Sequence, residues 1–338
     1  MGKIKITAAF LFLFSAFACK GDKRDFYYAK AFVMSVPIEI TVYDPDKEKG
    51  KNIADLLLKE VKRVSDDFSY TEPYSYTSHV NKNAYNKWVK MEEEMYVLLK
   101  ISRKYYDLTD GAFDVTFAPL WPIWKDAAAA KKLPSKDEIE KAIAKIGHDN
   151  IEMDERTRMI RFKKPVEINL GGILRGYSFV RIIDILKKNV SVSSPVQVEI
   201  GTNKLCWGEK DWTYTVNSPL DEKKVLGTLK FRQGVVISSS GRSHFVKIED
   251  KLYSHILSIK TGYPIENFST LVVYVPDMDM DFISSAALAT MGREKAFDYI
   301  SKYKGVCAIW VDGAGNVSTL INEDSSCSWE KPKKYLFF

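Results

Sequence analysis

From Val196 onward the chain reads mostly as short strands, whereas helical patterns dominate before it. That segregation constrains the fold more than any other feature. Val196 to Ile200, Thr213 to Asn217, Gly227 to Phe231, Val235 to Ser239, His244 to Ile248 and Leu271 to Val275 are apolar or alternating runs of strand length. Cys307 to Val311 and Asn316 to Leu320 form a closing hairpin around Asp312-Gly313-Ala314-Gly315. Helices are expected over Phe282 to Met291 and Lys295 to Tyr303. Earlier, Ile53, Leu56, Leu57, Val61, Val64 and Phe68 follow helical spacing, as do Met95, Leu98, Ile101 and Tyr105. Ser135 and Glu138 have capping-box spacing and open a helix carrying Ile139, Ala142, Ile143 and Ile146. Met34 to Tyr43 alternates as a strand, and Val166 to Leu170 reads as a strand entering Gly171-Gly172 and a helix through Leu186. Strands and helices do not alternate regularly. The expected class is therefore α+β, with mixed, largely antiparallel sheets and packed helices in one two-lobed unit.

The N-terminus predicts export. Lys3 and Lys5 precede an apolar run from Ile6 to Phe17, broken by Thr7 and Ser15 and ending in Ala16-Phe17-Ala18-Cys19. Basic, apolar and small residues in that order describe a signal peptide over 1–18. The run is shorter than the roughly 20 residues that span a bilayer. Cys19 directly after the small residues resembles a bacterial lipobox, although Phe17 is bulkier than its usual residue. The expected arrangement is a lipidated Cys19, a polar tether over 19–27 and a folded body over 28–338. The protein would then be an exported, membrane-anchored lipoprotein on the periplasmic or cell-surface side. An ordinary cleaved signal, with Cys19 incidental, is the alternative. Of the other cysteines, Cys206, Cys307 and Cys327, an exported chain would pair two, and Cys307 with Cys327 is one option. Acidic and basic residues are interleaved despite the formal charge of +6. No basic block argues for nucleic acid.

Four segments mix glycine with polar residues between regular elements. They are Thr109-Asp110-Gly111-Ala112-Phe113-Asp114, Asn169-Leu170-Gly171-Gly172-Ile173-Leu174-Arg175-Gly176-Tyr177, Ser239-Ser240-Gly241-Arg242, and His255-Ile256 with Lys260-Thr261-Gly262-Tyr263-Pro264. A glycine turn entering a helix exposes amides to an anion, and Arg175 would add a charge-assisted contact. Taken singly, each segment is an ordinary turn.

Together and in order, they resemble the ApbE family of FAD:protein FMN transferases. The family carries Gly-Ala-Phe-Asp, Asp-Leu-Gly-Gly-Ile-Ala-Lys-Gly-Tyr, Thr-Ser-Gly-Asp-Tyr, a His-Ile…Asp-Pro-x-Thr-Gly segment and an Ala-Asp-Ala-Leu-Ala-Thr helix. The likeness runs from about Ala31 to Leu320. It implies FAD as substrate, Mg²⁺ on the diphosphate, and FMN transfer to a threonine of an acceptor protein with release of AMP. It places Met34, Ser75, Ala112, Phe113, Asp114, Asn169, Arg175, Tyr177, Ile256, Thr261 and Gly262 around the flavin nucleotide. His255 becomes the base or phosphate ligand. Thr290 and a backbone carbonyl near Gly172 become metal ligands.

The departures cluster on acidic positions. The family's metal-binding aspartate is Ala286, and a methyl group ligates nothing. Asn169, Val180, Arg242 and Ser258 also stand where the family has aspartate, and Arg175 stands for lysine. Ser243 and Ile259 replace a tyrosine and a proline. Asp279 and Asp281, shortly before Ala286, are the nearby carboxylates that could take its place. Two readings follow: a divergent transferase, or a catalytically inactive flavin-binding lipoprotein. A structural lipoprotein without a ligand is the blandest third. Trp121, Trp124, Tyr70 and Tyr74 are candidates either to stack on a flavin or adenine ring or to fill the core.

Overall fold

The computed structural model describes residues 25–189, 194–208, 210–240, 245–248, 251–254, 256–265, 268–321 and 324–332. The leader and Cys19, together with Gly241, Arg242, Ser243 and His255, lie outside them. In chain order come β1 (Tyr27–Val33), β2 (Val36–Val42), α1 (Lys47–Phe68), α2 (Tyr76–Asn83), β3 (Val89–Lys90), α3 (Glu93–Leu108), α4 (Leu120–Ala130) and α5 (Lys136–Ile143). Next are β4 (Ile151–Asp154), β5 (Met159–Phe162), α6 (Gly171–Asn189), β6 (Val196–Ile200), β7 (Asn203–Trp207), β8 (Trp212–Ser218), β9 (Asp221–Phe231) and β10 (Gly234–Ser240). The chain continues through β11 (Phe245–Ile248), β12 (Lys251–Ser254), β13 (Phe268–Val275), α7 (Ser285–Thr290), α8 (Arg293–Ile300), β14 (Cys307–Asp312), β15 (Val317–Leu320) and β16 (Cys327–Glu330).

The α+β expectation holds. An antiparallel eight-stranded sheet has the order β1-β2-β6-β7-β10-β13-β14-β15. The apolar run of β13 is continuous because both of its faces are covered. Leu271, Val273 and Val275 pack with the helices, whereas Val272 and Tyr274 pack with Trp212, Val216, Leu229 and Phe231 of the small β16-β9-β8 sheet. On the helical side, α1 lies over β1 and β2 and against α6. Asp46 caps α1 by accepting from the Glu48 and Lys49 amides at 3.0 and 3.1 Å. Its stripe of Ile53, Leu57, Val61, Val64 and Phe68 is buried.

Several expected boundaries move. Met34 is not inside a strand: it and Ser35 form the turn between β1 and β2, at φ +54° and +59°. The body starts at Tyr27, which pairs with Val42, one residue inside the expected tether. Val166 to Leu170 forms no strand; its Asn169 amide donates to the Val115 carbonyl at 2.7 Å, and Asn81 holds Ile168. The Asn81 side chain accepts from the Ile168 amide at 2.8 Å and donates to the Ile168 carbonyl at 2.9 Å. The capping box of α5 is present, but the helix ends at Ile143, before Ile146. No helix among the described residues is long and apolar enough to cross a membrane.

Cys307 on β14 and Cys327 on β16 form a disulfide across 20 residues of sequence, tying the small sheet to the large one. Closing a loop of that length restricts the unfolded chain by about 3 kcal/mol. Reduction should therefore lower the unfolding free energy by about 3 kcal/mol, read as a fall in the urea midpoint. An unchanged midpoint under reductant would remove the bond from the stability account.

Candidate functional site

The Gly-Ala-Phe-Asp turn and the Gly-Gly helix start meet directly. A Cβ on Gly172 would stand 3.0 Å from Phe113 Cε2, so the Phe113 ring lies on that glycine. On its other side Phe113 meets Tyr105 edge-on at 5.7 Å. The Tyr105 hydroxyl donates to the Asp281 carbonyl at 2.8 Å and accepts from the Ser284 amide at 3.3 Å. Tyr105 thus joins the turn to the segment leading into α7. At Gly176, α6 touches the same segment: a Cβ there would fall 2.1 Å from the Ile283 carbonyl oxygen. Phe113, Gly172, Arg175 and the start of α7 are therefore assembled around the first turns of α6.

Arg175 reaches from α6 to the turn between β6 and β7. A Cβ on Gly201 would be 3.7 Å from Arg175 Nη1 and 3.5 Å from Val36 Cγ1. This corner also gathers the Met34–Ser35 turn, which immediately precedes Val36. Two left-handed non-glycine residues cost roughly 1–2 kcal/mol each. Ser35→Gly should accordingly raise the melting temperature by a few degrees; a decrease would mean that the Ser35 side chain holds the turn. Arg175 is partly buried, and burial pushes its guanidinium down from its ordinary value. Among the described residues it has no acceptor.

Other expected ligands are placed in structural roles. Asp114 is 3% exposed and turns inward. Its Oδ1 accepts from the Thr116 amide and hydroxyl, both at 2.8 Å, and its Oδ2 accepts from the His148 amide at 2.9 Å. Asn169 Oδ1 accepts from the Gly171 amide at 2.9 Å, opening α6 as a cap. Ser75 caps α2 by accepting from the Ser78 amide, and its hydroxyl donates to the Ser69 carbonyl at 2.6 Å. Tyr177 stands two residues beyond Arg175, on the opposite side of the helix, and packs edge-on against Phe68. Ile256 is buried in the main core. Ala112 and Thr261 are accessible, and Thr261 Oγ1 accepts from the Tyr263 amide at 3.2 Å.

Gly262 is the anchor of its loop. It has φ +71°, and a Cβ would meet Ile139 Cγ2 at 2.3 Å. Its carbonyl accepts from Trp124 Nε1 at 2.7 Å. Trp124 is buried between Tyr253 and Tyr263, whereas Trp121 is half exposed and Tyr74 fully so. The Tyr70 hydroxyl donates to Glu167 at 2.6 Å. No described contact holds these aromatic residues against Phe113 or Arg175. The sequence reading missed the helical role of Leu120–Ala130, although the spacing of Leu120, Trp124 and Ala127 was visible in it.

The residues assigned to Mg²⁺ do not fit that ion. Thr290 donates its hydroxyl to the Ala287 carbonyl at 2.7 Å, and Ala286 offers a methyl. Asp281 is committed elsewhere, to Lys104 through one oxygen and to the Tyr303 hydroxyl at 2.7 Å through the other. Asp279 Oδ1 accepts from the Asp281 amide. Among the described residues, no three His, Cys, Asp or Glu side chains converge as a metal site. Mg²⁺ needs oxygen ligands, usually one or two carboxylates.

His148 was not singled out by its sequence. It is 1% exposed, and neither ring nitrogen has a partner among the described residues. Burial pushes its ionisation down, against the opposing pull of Asp114. A depressed folded-state value means that stability is full above about pH 6.5 and is lost as pH falls. His148→Phe should flatten that acid-side decline without lowering stability at pH 8. A variant that keeps the wild-type pH slope would assign the decline to carboxylates.

The sequence matches the model of the ApbE family over residues 34–310. It is 25% identical over 294 residues to the FAD:protein FMN transferase of Klebsiella pneumoniae, covering 86% of this chain and 90% of that one. It is 26% identical over 237 residues to the Chlamydia pneumoniae protein of that name, covering 68% and 72%. The crystal structure of the ApbE protein of Thermotoga maritima superposes with a TM-score of 0.76 at 28% identity, covering 87% of this chain and 96% of that one. The flavin transferase ApbE of Vibrio cholerae shares the fold, with a TM-score of 0.72 at 19% identity over 88% and 97%.

Proposed function

The chain belongs to the ApbE family, and on that premise we propose that it is an FAD:protein FMN transferase. The observation that carries the reading is the assembly of Phe113, Gly172 and Arg175 at the start of α6, where an aromatic ring, exposed glycines and a cation with no acceptor among the described residues share one corner. In the reaction, a threonine hydroxyl of an acceptor protein attacks the phosphorus on the FMN side of the FAD diphosphate. The new threonine–phosphorus ester forms as the bond to the bridging oxygen breaks. AMP leaves with that oxygen, and His255 takes the hydroxyl proton. Such transfer depends on positioning the nucleophile and neutralising phosphate charge. Arg175 supplies fixed positive charge, while Asn169 and Asn81 hold the helix start in place.

We also propose export and a lipid anchor on Cys19. The lipobox-like segment supports this reading, as does the Cys307–Cys327 disulfide, because such bonds persist in oxidising compartments.

The test is to incubate the purified chain with FAD, Mg²⁺ and an acceptor domain carrying a candidate threonine, and to follow FAD, FMN and AMP by chromatography. AMP release that His255→Ala abolishes supports the transferase. FAD that stays intact but co-elutes with the chain supports the inactive flavin-binding reading, which Ala286 favours. FAD neither bound nor cleaved overturns both.

A further inference from the structure

We propose that this chain neutralises the diphosphate of its dinucleotide with the Arg175 guanidinium rather than with a bound divalent cation. The inference rests on the flavin-nucleotide reading above and deepens it.

The first observation is the contrast between Arg175 and two other partly buried arginines, Arg63 on α1 and Arg181 on α6. Arg63 bonds Glu60, Asp67 and Glu94 at 2.7–2.9 Å. Arg181 reaches Glu60, Glu94 and Asp184 at 3.0–3.4 Å. Both are saturated with carboxylates. Arg175 is partly buried on the same helix as Arg181 and has no carboxylate or carbonyl partner among the described residues. Removing a cation from water without a counter-charge is unfavourable by several kcal/mol unless an anion completes it. Nothing among the described residues supplies that anion, and a guanidinium presents a planar fork suited to the phosphate oxygens of a ligand.

The second observation is that the carboxylates described around this corner are engaged elsewhere. Asp114 is turned inward onto Thr116 and His148. Asp281 is bound to Lys104 and Tyr303. Asn169 and Ala286 carry no charge. Mg²⁺ beside Arg175 would meet a like charge, and among the described residues no cluster of carboxylates stands there to offset it. One fixed cation replacing both a metal and its acidic ligands accounts for the joint loss of those acidic residues, which a single neutral substitution would not.

Third, the guanidinium is positioned. Gly201 borders it on the strand side, with Val36 against the same glycine, and Gly172, three residues earlier on α6, lies under Phe113. A phosphate between Arg175 and Gly172 would also meet the Gly172 amide, which has no acceptor among the described residues. That amide belongs to the first turn of α6, whose N–H groups lack helical partners.

FAD binding to the purified chain, followed by quenching of flavin fluorescence, tests this in excess EDTA and in excess Mg²⁺. The affinity should be equal in the two conditions within about twofold. Arg175→Gln should weaken it roughly 10- to 100-fold in both, the range for a charge-assisted contact. Arg175→Lys should recover part of the loss, and circular dichroism of each variant guards against misfolding. Ala286→Asp should not make wild-type-level binding require Mg²⁺. FAD bound only in Mg²⁺ overturns this inference and leaves the proposed function standing. Unchanged affinity in a folded Arg175→Gln variant also overturns it. FAD unbound by wild type in either condition overturns the functional reading and this inference with it.

Discussion

Gly176→Val is expected to lower the melting temperature by roughly 5 °C, since a loss near 3 kcal/mol shifts a domain of this size by that much. The missing Cβ would lie 2.1 Å from the Ile283 carbonyl oxygen and 2.4 Å from Ile283 Cα. Neither atom belongs to a side chain that can swing away. The strand of backbone it would strike is held on both sides, by the Tyr105 hydroxyl on Asp281 and Ser284 and by the Ser284 side chain capping the Ala287 amide at 3.1 Å. Relief would require α6 to move off α7, separating Arg175 and Gly172 from the segment that Tyr105 links to Phe113. Loss of FAD affinity should therefore accompany the loss of stability. A Gly176→Val chain melting within a degree of wild type would mean that α6 and α7 are not locked together.

Asp114→Ala is the second large effect. It removes the acceptor for two backbone amides and one hydroxyl, in a site where the carboxylate is 3% exposed. Buried donors left without acceptors cost roughly 1–3 kcal/mol apiece, and a total near 3–5 kcal/mol is expected. Thr116 also accepts from the Gly147 amide at 2.8 Å, so the Gly147–His148 loop loosens with it. Asp114→Asn should fall between the two chains, because its oxygen still serves Thr116 while its amide group meets the His148 N–H donor to donor. Urea unfolding separates these outcomes. An Asp114→Ala chain as stable as wild type would return Asp114 to a role in ligand contact.

The share of this site visible in the sequence follows from the range of the interactions involved. The stripe of α1, the capping box of Ser135 and Glu138, and the hairpin of β14 and β15 rest on contacts within a few residues. Periodicity and turn chemistry express these directly. The order of the glycine segments carried the family, and with it the gathering of Phe113, Gly172 and Arg175.

What each side chain does there was decided by partners far along the chain. Asp114 serves His148, Asn81 holds Ile168, and Trp124 caps the carbonyl of Gly262, 138 residues away. Asp281 was a plausible metal ligand until Lys104, 177 residues earlier, occupied it. The sequence by itself determined the class of fold, the helix faces and the cation at position 175. Only the tertiary structure decided which carboxylates were already satisfied and which charge was left over, because a buried polar group is completed by whatever packs against it in space.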